Sequence, residues 1–409
     1  MIMQATLNSH AVAGPRQGLV IQLASSLTIV GSVMIAPMLP KITAEFAAVE
    51  PDALALVPLM VAAPALAIAL FAPLAGMLAD RFGRKPMLLL GCLLYALFGA
   101  WPVVIHDLKL ILVSRLLFGC AEALIMTCCT TLIADYWPPQ QRMRYINRQV
   151  ITIGVVGALF FVIGGMAGEG SWRTPFLLYL APLLMVPAIV NYLWEPDRRQ
   201  EESHALITPP GSTRRTLLVA CFLIFVGMVT CFVVTVMTPT VLVMRGVTST
   251  SLIGASAGLA ILSTLIGSIA WPFVRERIGV AGVNALLLAC MACGLCVLAL
   301  APSYPVVLVA MVLQGFGAGF LVSNASLPLL LVLPAHLRAR GVGAFTACLY
   351  LGQFASPLII TAIAHPLGGM PHGLASAILL WALLTMLVAL AWLLVGLRQG
   401  RMQAGQVLH

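Results

Sequence analysis

Two charged residues, Arg115 and Glu122, lie deep within one long apolar segment, residues 109–134. On an α-helix a spacing of seven residues is almost two full turns, so both project from one face, about 10.5 Å apart along the axis. A charge at the centre of a bilayer costs about 2.5–3.5 kcal/mol, so we expect both side chains to face protein or water. A buried carboxyl can bind and release a proton, which makes Glu122, with Arg115, a candidate proton-coupling site.

The sequence leaves the charge state of this carboxyl open. Burial disfavours the charged form of Glu122, whereas the positive charge of Arg115 favours it. At roughly 8 Å and an effective dielectric constant of about 20, their attraction is about 2 kcal/mol, comparable to the cost of burial. A movement that changes their separation would switch the proton on or off. The alternative interpretation is that Glu122 only hydrogen-bonds a neighbouring helix.

A second group of charges forms a short turn between two apolar segments, in Gly76-Met-Leu-Ala-Asp-Arg-Phe-Gly-Arg-Lys85. The glycines allow close backbone approach. One acid among three bases predicts an ion-paired hinge at a membrane face. Its candidate functional residues are Gly76, Asp80, Arg81, Gly83, Arg84 and Lys85.

The elements that position these residues follow from composition. The chain has 409 residues, of which 61% are hydrophobic and only 9% charged, with a mean hydropathy of +1.05. So few charges cannot cover a water-soluble surface of this size. Continuous apolar runs of about 20 residues span a bilayer as helices. We count twelve such segments, at 18–38, 53–79, 86–104, 109–134, 147–167, 175–194, 216–243, 250–273, 280–301, 304–333, 341–363 and 373–397.

The net charge of +9 does not indicate nucleic-acid binding. Most of the 22 Lys and Arg residues fall in the two termini and in alternate loops, on one side of the predicted membrane. The positive-inside rule then places both termini in the cytoplasm of a multi-pass protein of the cell inner membrane. The cysteines Cys290, Cys293 and Cys296 have a metal-like spacing, but their apolar helix lacks partner ligands, so we expect no metal site and no disulfide.

The chain contains two copies of one unit. A shift of 196 residues places Asp80-Arg81 on Glu276-Arg277 and Gly119 on Gly315. This alignment predicts that a unit of six apolar segments is duplicated and that both copies have the same orientation in the membrane. We therefore predict an N-terminal domain at 1–194, a cytoplasmic linker at 195–215 and a C-terminal domain at 216–409.

The turn at residues 76–85 resembles the loop signature G-x-L-a-D-R-x-G-R-K of the major facilitator superfamily, the MFS. Arg115-Leu-Leu-Phe-Gly119 resembles that family's R-x-x-q-G motif, with Phe118 in place of Gln. The resemblance covers essentially the whole chain. It implies an all-α integral membrane protein with the MFS fold, in which twelve transmembrane helices form two pseudo-symmetric six-helix bundles. It also implies a monomeric transporter, not an enzyme, whose partners are a small-molecule substrate, protons and the lipid bilayer, without a cofactor.

The resemblance also assigns roles to residues. Asp80 would dock near Gly341–Gly343 at the start of segment 341–363, and Arg84 would pair with Asp135, so that the turn and Asp135 act as a conformational gate. Segments 1, 4, 7 and 10 would line a mostly apolar cavity suited to lipophilic molecules. Each polar candidate could equally join two helices. The substrate-cavity candidates are Gln22, Ser25, Met126, Thr230, Phe232, Gln314, Asn324 and Gln353.

The direction of transport stays open. The overall pattern resembles the branch of drug or metabolite:proton antiporters, which favours export. In the antiporter motif of the fifth segment, however, only Gly164-Gly165 match, and Phe160-Phe161 stand where Gly-Pro is usual. The alternatives are a proton symporter that imports a small organic metabolite, and a membrane receptor with this fold that does not transport.

Overall fold

The computed structural model describes residues 13–196, 210–333 and 335–407, and all regular structure within these ranges is helical. The 3-10 helices lie at Ala36–Met38, Trp101–Val103, Thr174–Met185 and His365–Leu367. In chain order the α-helices are α1 (Pro15–Val33), α2 (Leu39–Phe46), α3 (Ala53–Leu56), α4 (Leu59–Phe82), α5 (Arg84–Ala100), α6 (Leu108–Tyr136), α7 (Pro139–Ala167), α8 (Val186–Tyr192), α9 (Pro210–Met244), α10 (Thr250–Leu300), α11 (Tyr304–Val332), α12 (Ala335–Ala364) and α13 (Leu374–Val407).

Eleven helical segments in the described ranges are long and apolar enough to cross a bilayer. One of them, α10, has 51 residues. At 1.5 Å per residue a straight helix of that size would be about 76 Å long, more than twice the hydrocarbon thickness. At Gly279 the backbone leaves the helical region, with φ 68° and ψ −179°. The two arms of α10 correspond to the predicted segments 250–273 and 280–301, so the expected twelve crossings are accounted for.

The predicted repeat is visible in the backbone. Gly83, which lies 196 residues before Gly279, has φ 98° and ψ 150° at the junction between α4 and α5. Positive φ at both positions favours glycine, because a side chain there would be strained. Equivalent turns in the two halves therefore use the same residue type for the same conformational reason.

The sixth predicted segment differs from a plain α-helix. Residues 175–194 form the 3-10 helix Thr174–Met185 followed by the short helix α8. Pro182 and Pro187 would lie inside a continuous α-helix over this segment, and both lack the N–H that such a helix needs there. Hydropathy is continuous along this segment, so it does not reveal that the α-helix is interrupted.

Helices α7 and α10 bring the two bundles together. A Cβ at Gly254 of α10 would overlap the carbonyl oxygen of Phe161 in α7, and one at Gly165 would overlap that of Thr250. Small residues at these positions let the two backbones touch, which is how helices associate in a bilayer.

The same two helices diverge along their length. A Cβ at Gly258 would lie 3.0 Å from the carbonyl oxygen of Ala158. Three turns from the tight contact, a Cβ at Gly154 would meet only the side chain of Leu265, at 3.5 Å. Helices α7 and α10 are therefore packed most closely at the predicted outer face, the end that is remote from residues 76–85.

Hydrogen bonds close this outer face. Glu169 Oε1, which follows α7, accepts from Ser249 Oγ at 2.6 Å and from the backbone N–H of Ser251 at 2.9 Å. Thr250 Oγ1 donates to the carbonyl of Gly165 at 2.7 Å. A carboxylate at the N-terminus of α10 meets the positive end of the helix dipole. These bonds stabilise the contact between the two bundles.

The end of α7, the other helix of this contact, is bound by the cationic side chain of Lys41. Lys41 Nζ donates to the carbonyl oxygens of Gly168 at 2.9 Å and Glu169 at 2.7 Å, directly after the end of α7. Terminal carbonyls lack helical partners and attract positive charge. Lys41 thus fixes the backbone that carries the Glu169 carboxylate.

The predicted linker lies largely outside the described residues, which omit 197–209. The domain boundaries at 194 and 216 therefore stay predictions.

Replacing Glu169 with Ala removes an acceptor from the first turn of α10. We expect several-fold faster hydrogen exchange of the backbone amides at residues 250–254, because local opening then costs less. Glu50→Ala is the matched control, since its carboxylate pairs with Lys109 Nζ at 3.1 Å within the first bundle. Equal exchange in the wild type and Glu169→Ala would contradict this role.

The same contact should tolerate ordinary changes in pH. Hydrogen bonds from Ser249 and Ser251 lower the pKa of Glu169 from 4.5 to about 2. Because the folded value is the lower one, the stabilisation is present above the unfolded value and disappears only as pH falls towards about 2. After correction for intrinsic exchange rates, the protection of the backbone amides at residues 250–254 should therefore be the same at about pH 5 as at about pH 8.

Candidate functional site

Helix α6 carries the two membrane charges on one buried face. The helix begins after Asp107, whose side chain caps it by accepting from the backbone N–H of Leu110 at 2.9 Å. Arg115, Phe118 and Glu122 then follow at helical spacing, and all three side chains are fully buried. Both charged side chains therefore lie inside the first bundle and not against lipid, as expected from the sequence.

Arg115 is held by the ends of two other helices. Its Nη2 donates to the carbonyl oxygen of Gly31 at 2.9 Å, and its Nε donates to that of Met60 at 3.3 Å. Gly31 is in the last turn of α1, where carbonyls lack helical partners and the helix dipole favours a cation. The guanidinium carbon also lies 4.0 Å from the ring centre of Phe118 and 5.2 Å from that of Tyr179. Backbone carbonyls and aromatic rings thus stabilise the positive charge.

Glu122 lies against the same residue of α1 without a hydrogen bond. Within the part of the chain that the structure describes, neither of its carboxyl oxygens has a hydrogen-bond partner, and Arg115 Nη1 is also unpaired. A Cβ at Gly31 would overlap Glu122 Oε1, which shows how closely the carboxyl approaches α1. Burying an ionised carboxylate without donors is costly, so this arrangement suits the neutral, protonated form.

Two tyrosines complete the environment of the carboxyl. Tyr179 Oη donates to the Gly31 carbonyl at 2.8 Å, and Tyr95 Oη donates to that of Leu27 at 2.8 Å. Their rings contact Phe118, with centre distances of 5.0 Å and 4.4 Å. Sequence analysis missed both residues. The available signal was a tyrosine within an apolar segment, whose hydroxyl needs a partner when buried.

The turn at residues 76–85 is organised around Arg84. Its Nη1 forms the expected ion pair with Asp135 at the end of α6, and its Nη2 lies 3.7 Å from Asp80 Oδ1. The Asp80 side chain is 73% exposed. Gly76 faces α6, since a Cβ there would lie 4.0 Å from Thr127 Cγ2.

Glu195 is a residue of this turn that sequence analysis placed in the linker. Its carboxyl oxygens accept from the backbone N–H groups of Arg84 at 2.7 Å and Lys85 at 2.9 Å, at the start of α5. Lys85 Nζ donates to the carbonyl of Val190 at 2.9 Å. The Arg81 guanidinium lies 5.3 Å from the ring centre of Phe82. The turn is thus fastened to the end of the sixth segment, an arrangement with no local sequence signal.

The predicted gating function of these residues stays a prediction. The expected docking region for Asp80 begins next to residues 334–339, whose side chains lie outside the described part of the structure.

Several predicted cavity residues join helices within one bundle. Thr230 Oγ1 accepts from Trp381 Nε1 at 3.1 Å, between α9 and α13. Asn324 Nδ2 donates to Asn284 Oδ1 at 2.7 Å, between α11 and α10. Gln314 Nε2 donates to the carbonyl of Cys231 at 3.4 Å.

The remaining candidates differ in their partners and in their burial. Ser25 Oγ accepts from Gln149 Nε2 at 2.6 Å, between α1 and α7. Gln22 and Phe232 are buried, whereas Gln353 is half-buried. Met126 Sδ accepts from Tyr350 Oη at 2.9 Å, across the bundle interface. Whether any of them contacts substrate stays a prediction.

Gly31→Ala tests the packing of α1 on the buried carboxyl. The added Cβ would overlap Glu122 Oε1 and lie 2.7 Å from Phe118 Cε1. Overpacking of this kind costs about 1–3 kcal/mol, so the apparent Tm in detergent should fall by several degrees. Gly343→Ala is the control, because nothing lies within 4 Å of a Cβ there. Equal melting temperatures would show that α1 does not rest on Glu122 as described.

Comparison with known proteins places this arrangement among transporters. The chain is 25% identical over 301 residues to the 3-(3-hydroxy-phenyl)propionate transporter of Escherichia coli (strain K12), a match that covers 69% of this chain and 72% of that protein. It is 32% identical over 132 residues to the quinolone resistance protein NorA of Staphylococcus aureus, which covers 32% of this chain and only 34% of NorA.

Solved structures share the fold. A bacterial homologue of the human lysosomal transporter Spinster, inward-facing and occupied, has a TM-score of 0.73 at 17% identity, covering 93% of this chain and 96% of that one. The D-xylose-proton symporter has a TM-score of 0.68 at 18% identity, covering 90% and 96%.

The family profile gives the assignment. The profile described as Major Facilitator Superfamily matches residues 21–357, which is most of the chain. The resemblance of the loop signature is therefore confirmed, and so is the all-α fold. The chain belongs to the Major Facilitator Superfamily.

Proposed function

We propose that this superfamily transporter is proton-coupled, that Glu122 is its proton site, and that it exports a lipophilic drug or small metabolite by alternating access. One observation carries the proposal: the Glu122 carboxyl is fully buried and has no hydrogen-bond partner among the described residues, where the neighbouring Arg115 also keeps one unpaired donor, Nη1. A structural carboxyl would be satisfied by donors, because an unpaired buried polar group is costly.

The unpaired groups give the site two arrangements. While Glu122 is protonated, Arg115 binds the Gly31 carbonyl. When the proton leaves, the carboxylate attracts the guanidinium, and a charge-assisted bond competes with the bond to Gly31. The hydrogen bond that links Arg115 to the end of α1 then weakens. Proton release would thereby change the packing of α1, which is predicted to line the substrate cavity.

The choice of export follows from the predicted cavity and from a relative. Its predicted lining is mainly apolar, which suits lipophilic molecules better than sugars. One relative, NorA, is named as a quinolone resistance protein, and export of a drug is one route to resistance. The similarity to NorA spans about a third of either chain, so it supports the direction without assigning a substrate.

A second candidate function is proton-coupled import of a small organic metabolite. The observation that favours it is the match to the 3-(3-hydroxy-phenyl)propionate transporter, which covers more than twice as much of the chain as the match to NorA. The incomplete antiporter motif of the fifth segment points the same way. The direction of proton flux that accompanies substrate separates the two functions.

The setting proposed for this activity follows from the charge distribution. The excess of Lys and Arg in the termini and alternate loops supports a protein of the cell inner membrane with both termini in the cytoplasm. The proposed transporter acts as a monomer, as the family resemblance implies.

Glu122→Gln keeps the size of the side chain and removes its titration. We expect substrate-driven proton flux in proteoliposomes to fall by at least about tenfold, with ethidium and 3-(3-hydroxy-phenyl)propionate as the first probes. Glu50→Gln is the control, because its partner Lys109 lies at the predicted outer face and its loss leaves the buried site intact.

The sign of the flux decides the direction. Proton movement against the probe supports export, and movement with the probe supports import. Undiminished proton flux in Glu122→Gln would remove Glu122 as the proton site. Probe binding without any flux would support a receptor that does not transport.

A further inference from the structure

Tyr350 reaches from the second bundle into the first. It lies on α12, and its side chain packs against a cluster of buried residues from α4 and α6, which consists of Ile68, Ala75, Ala123 and Leu124. Its hydroxyl donates to Met126 Sδ of α6 at 2.9 Å. A thioether sulfur is a weak acceptor, so this polar group at the bundle interface has a poor partner.

The position of Met126 brings this hydroxyl close to the buried carboxyl. Met126 follows Glu122 by four residues on α6, so the two side chains lie on one face, about 6 Å apart along the axis. Long helical side chains lean towards the helix N-terminus, which directs Met126 towards Glu122. The charge of Glu122 accordingly acts electrostatically on the Tyr350 hydroxyl.

Four ionisable groups surround the carboxyl in the described structure. Arg115 lies on the same helix, Tyr95 on α5, Tyr179 in the 3-10 helix Thr174–Met185 and Tyr350 on α12. Three of them already donate to backbone carbonyls of the first bundle. Only Tyr350 donates to sulfur and belongs to the second bundle. Redirecting its hydroxyl therefore costs less than breaking any of the other bonds.

We propose that Tyr350 is a positioning residue whose hydroxyl turns from Met126 Sδ to the Glu122 carboxylate when the proton leaves, so that the charge of Glu122 fastens α12 to α6. The O–H bond of the Glu122 carboxylic acid breaks as its proton passes to water, and the carboxylate then accepts the hydrogen bond that Tyr350 Oη had donated to Met126 Sδ. A hydroxyl bound to a carboxylate is a charge-assisted hydrogen bond and is much stronger than one to a thioether. The proposal rests on Glu122 being the proton site.

Tyr350→Phe tests it, because only the hydroxyl is lost. The readout is the infrared absorption of the protonated carboxyl in lipid-reconstituted protein, assigned to Glu122 by its absence in Glu122→Gln and titrated without substrate. We expect the pH midpoint of this band to rise by about one unit, since the ionised form loses a charge-assisted donor. Tyr304→Phe is the control: that hydroxyl donates to the Leu252 carbonyl at 2.9 Å within the second bundle, and its loss should leave the midpoint unchanged.

Met126→Leu provides an independent test in the opposite direction. It removes the competing acceptor at similar volume, so the midpoint should fall, and the shift should vanish when Tyr350→Phe is also present, because the two changes act through one hydrogen bond. An unchanged midpoint in Tyr350→Phe, or a rise in Met126→Leu, overturns the proposal.

The outcomes keep the two hypotheses apart. An unchanged midpoint in Tyr350→Phe, together with loss of proton flux in Glu122→Gln, leaves Glu122 as the proton site and removes only Tyr350. Proton flux that survives Glu122→Gln removes both.

Discussion

The carbonyl oxygen of Gly31 is the point on which the organisation of the first bundle depends. It accepts hydrogen bonds from Arg115 of the fourth segment and Tyr179 of the sixth, and the Glu122 carboxyl packs against the same residue. Three segments therefore meet at one backbone group near the end of α1. The carbonyl is available because the last turn of a helix has no partner for it.

Helix ends serve the same purpose elsewhere in the molecule. Glu195 binds the first N–H groups of α5, Glu169 those of α10, and Lys41 the carbonyls that follow α7. In an apolar chain with few charges, each charge placed at a helix end satisfies exposed backbone groups and joins two segments at once. The contact through Glu169 links the two bundles, whereas the contact through Glu195 lies within one. Only the former must break when the bundles move apart.

The proposed mechanism joins these contacts into one cycle. At the predicted outer face α7 and α10 are in backbone contact, and these two helices diverge from there. Tyr350 crosses the interface to Met126, which lies about one helical turn after Glu122 on α6. Loss of a proton from Glu122 would loosen α1 and strengthen the link between α6 and α12. A single proton would thus favour one packing of the bundles over the other, which is the population shift that coupled transport needs.

The sequence by itself determined the class of the molecule. Continuous apolar runs specify membrane-spanning helices, because only internally hydrogen-bonded backbone is stable in lipid. The shift of 196 residues predicted the duplication, which the positive φ of Gly83 and Gly279 expresses in the backbone. The family resemblance of the turn also predicted the pairing of Arg84 with Asp135, which the structure shows. The proline-rich sixth segment was the main error in helix type, because hydropathy does not register missing N–H donors.

Only the tertiary structure decided which groups meet. Helical spacing placed Arg115 and Glu122 on one face but gave no sign of Gly31, Tyr179 or Tyr350, which come from three other segments. Nor could it show that Thr230 and Asn324 bind neighbouring helices. The reason is physical: periodicity fixes the direction of a side chain relative to its own helix, whereas its partner depends on the rotation and depth of the helix packed against it. Those are set by close packing over the whole bundle.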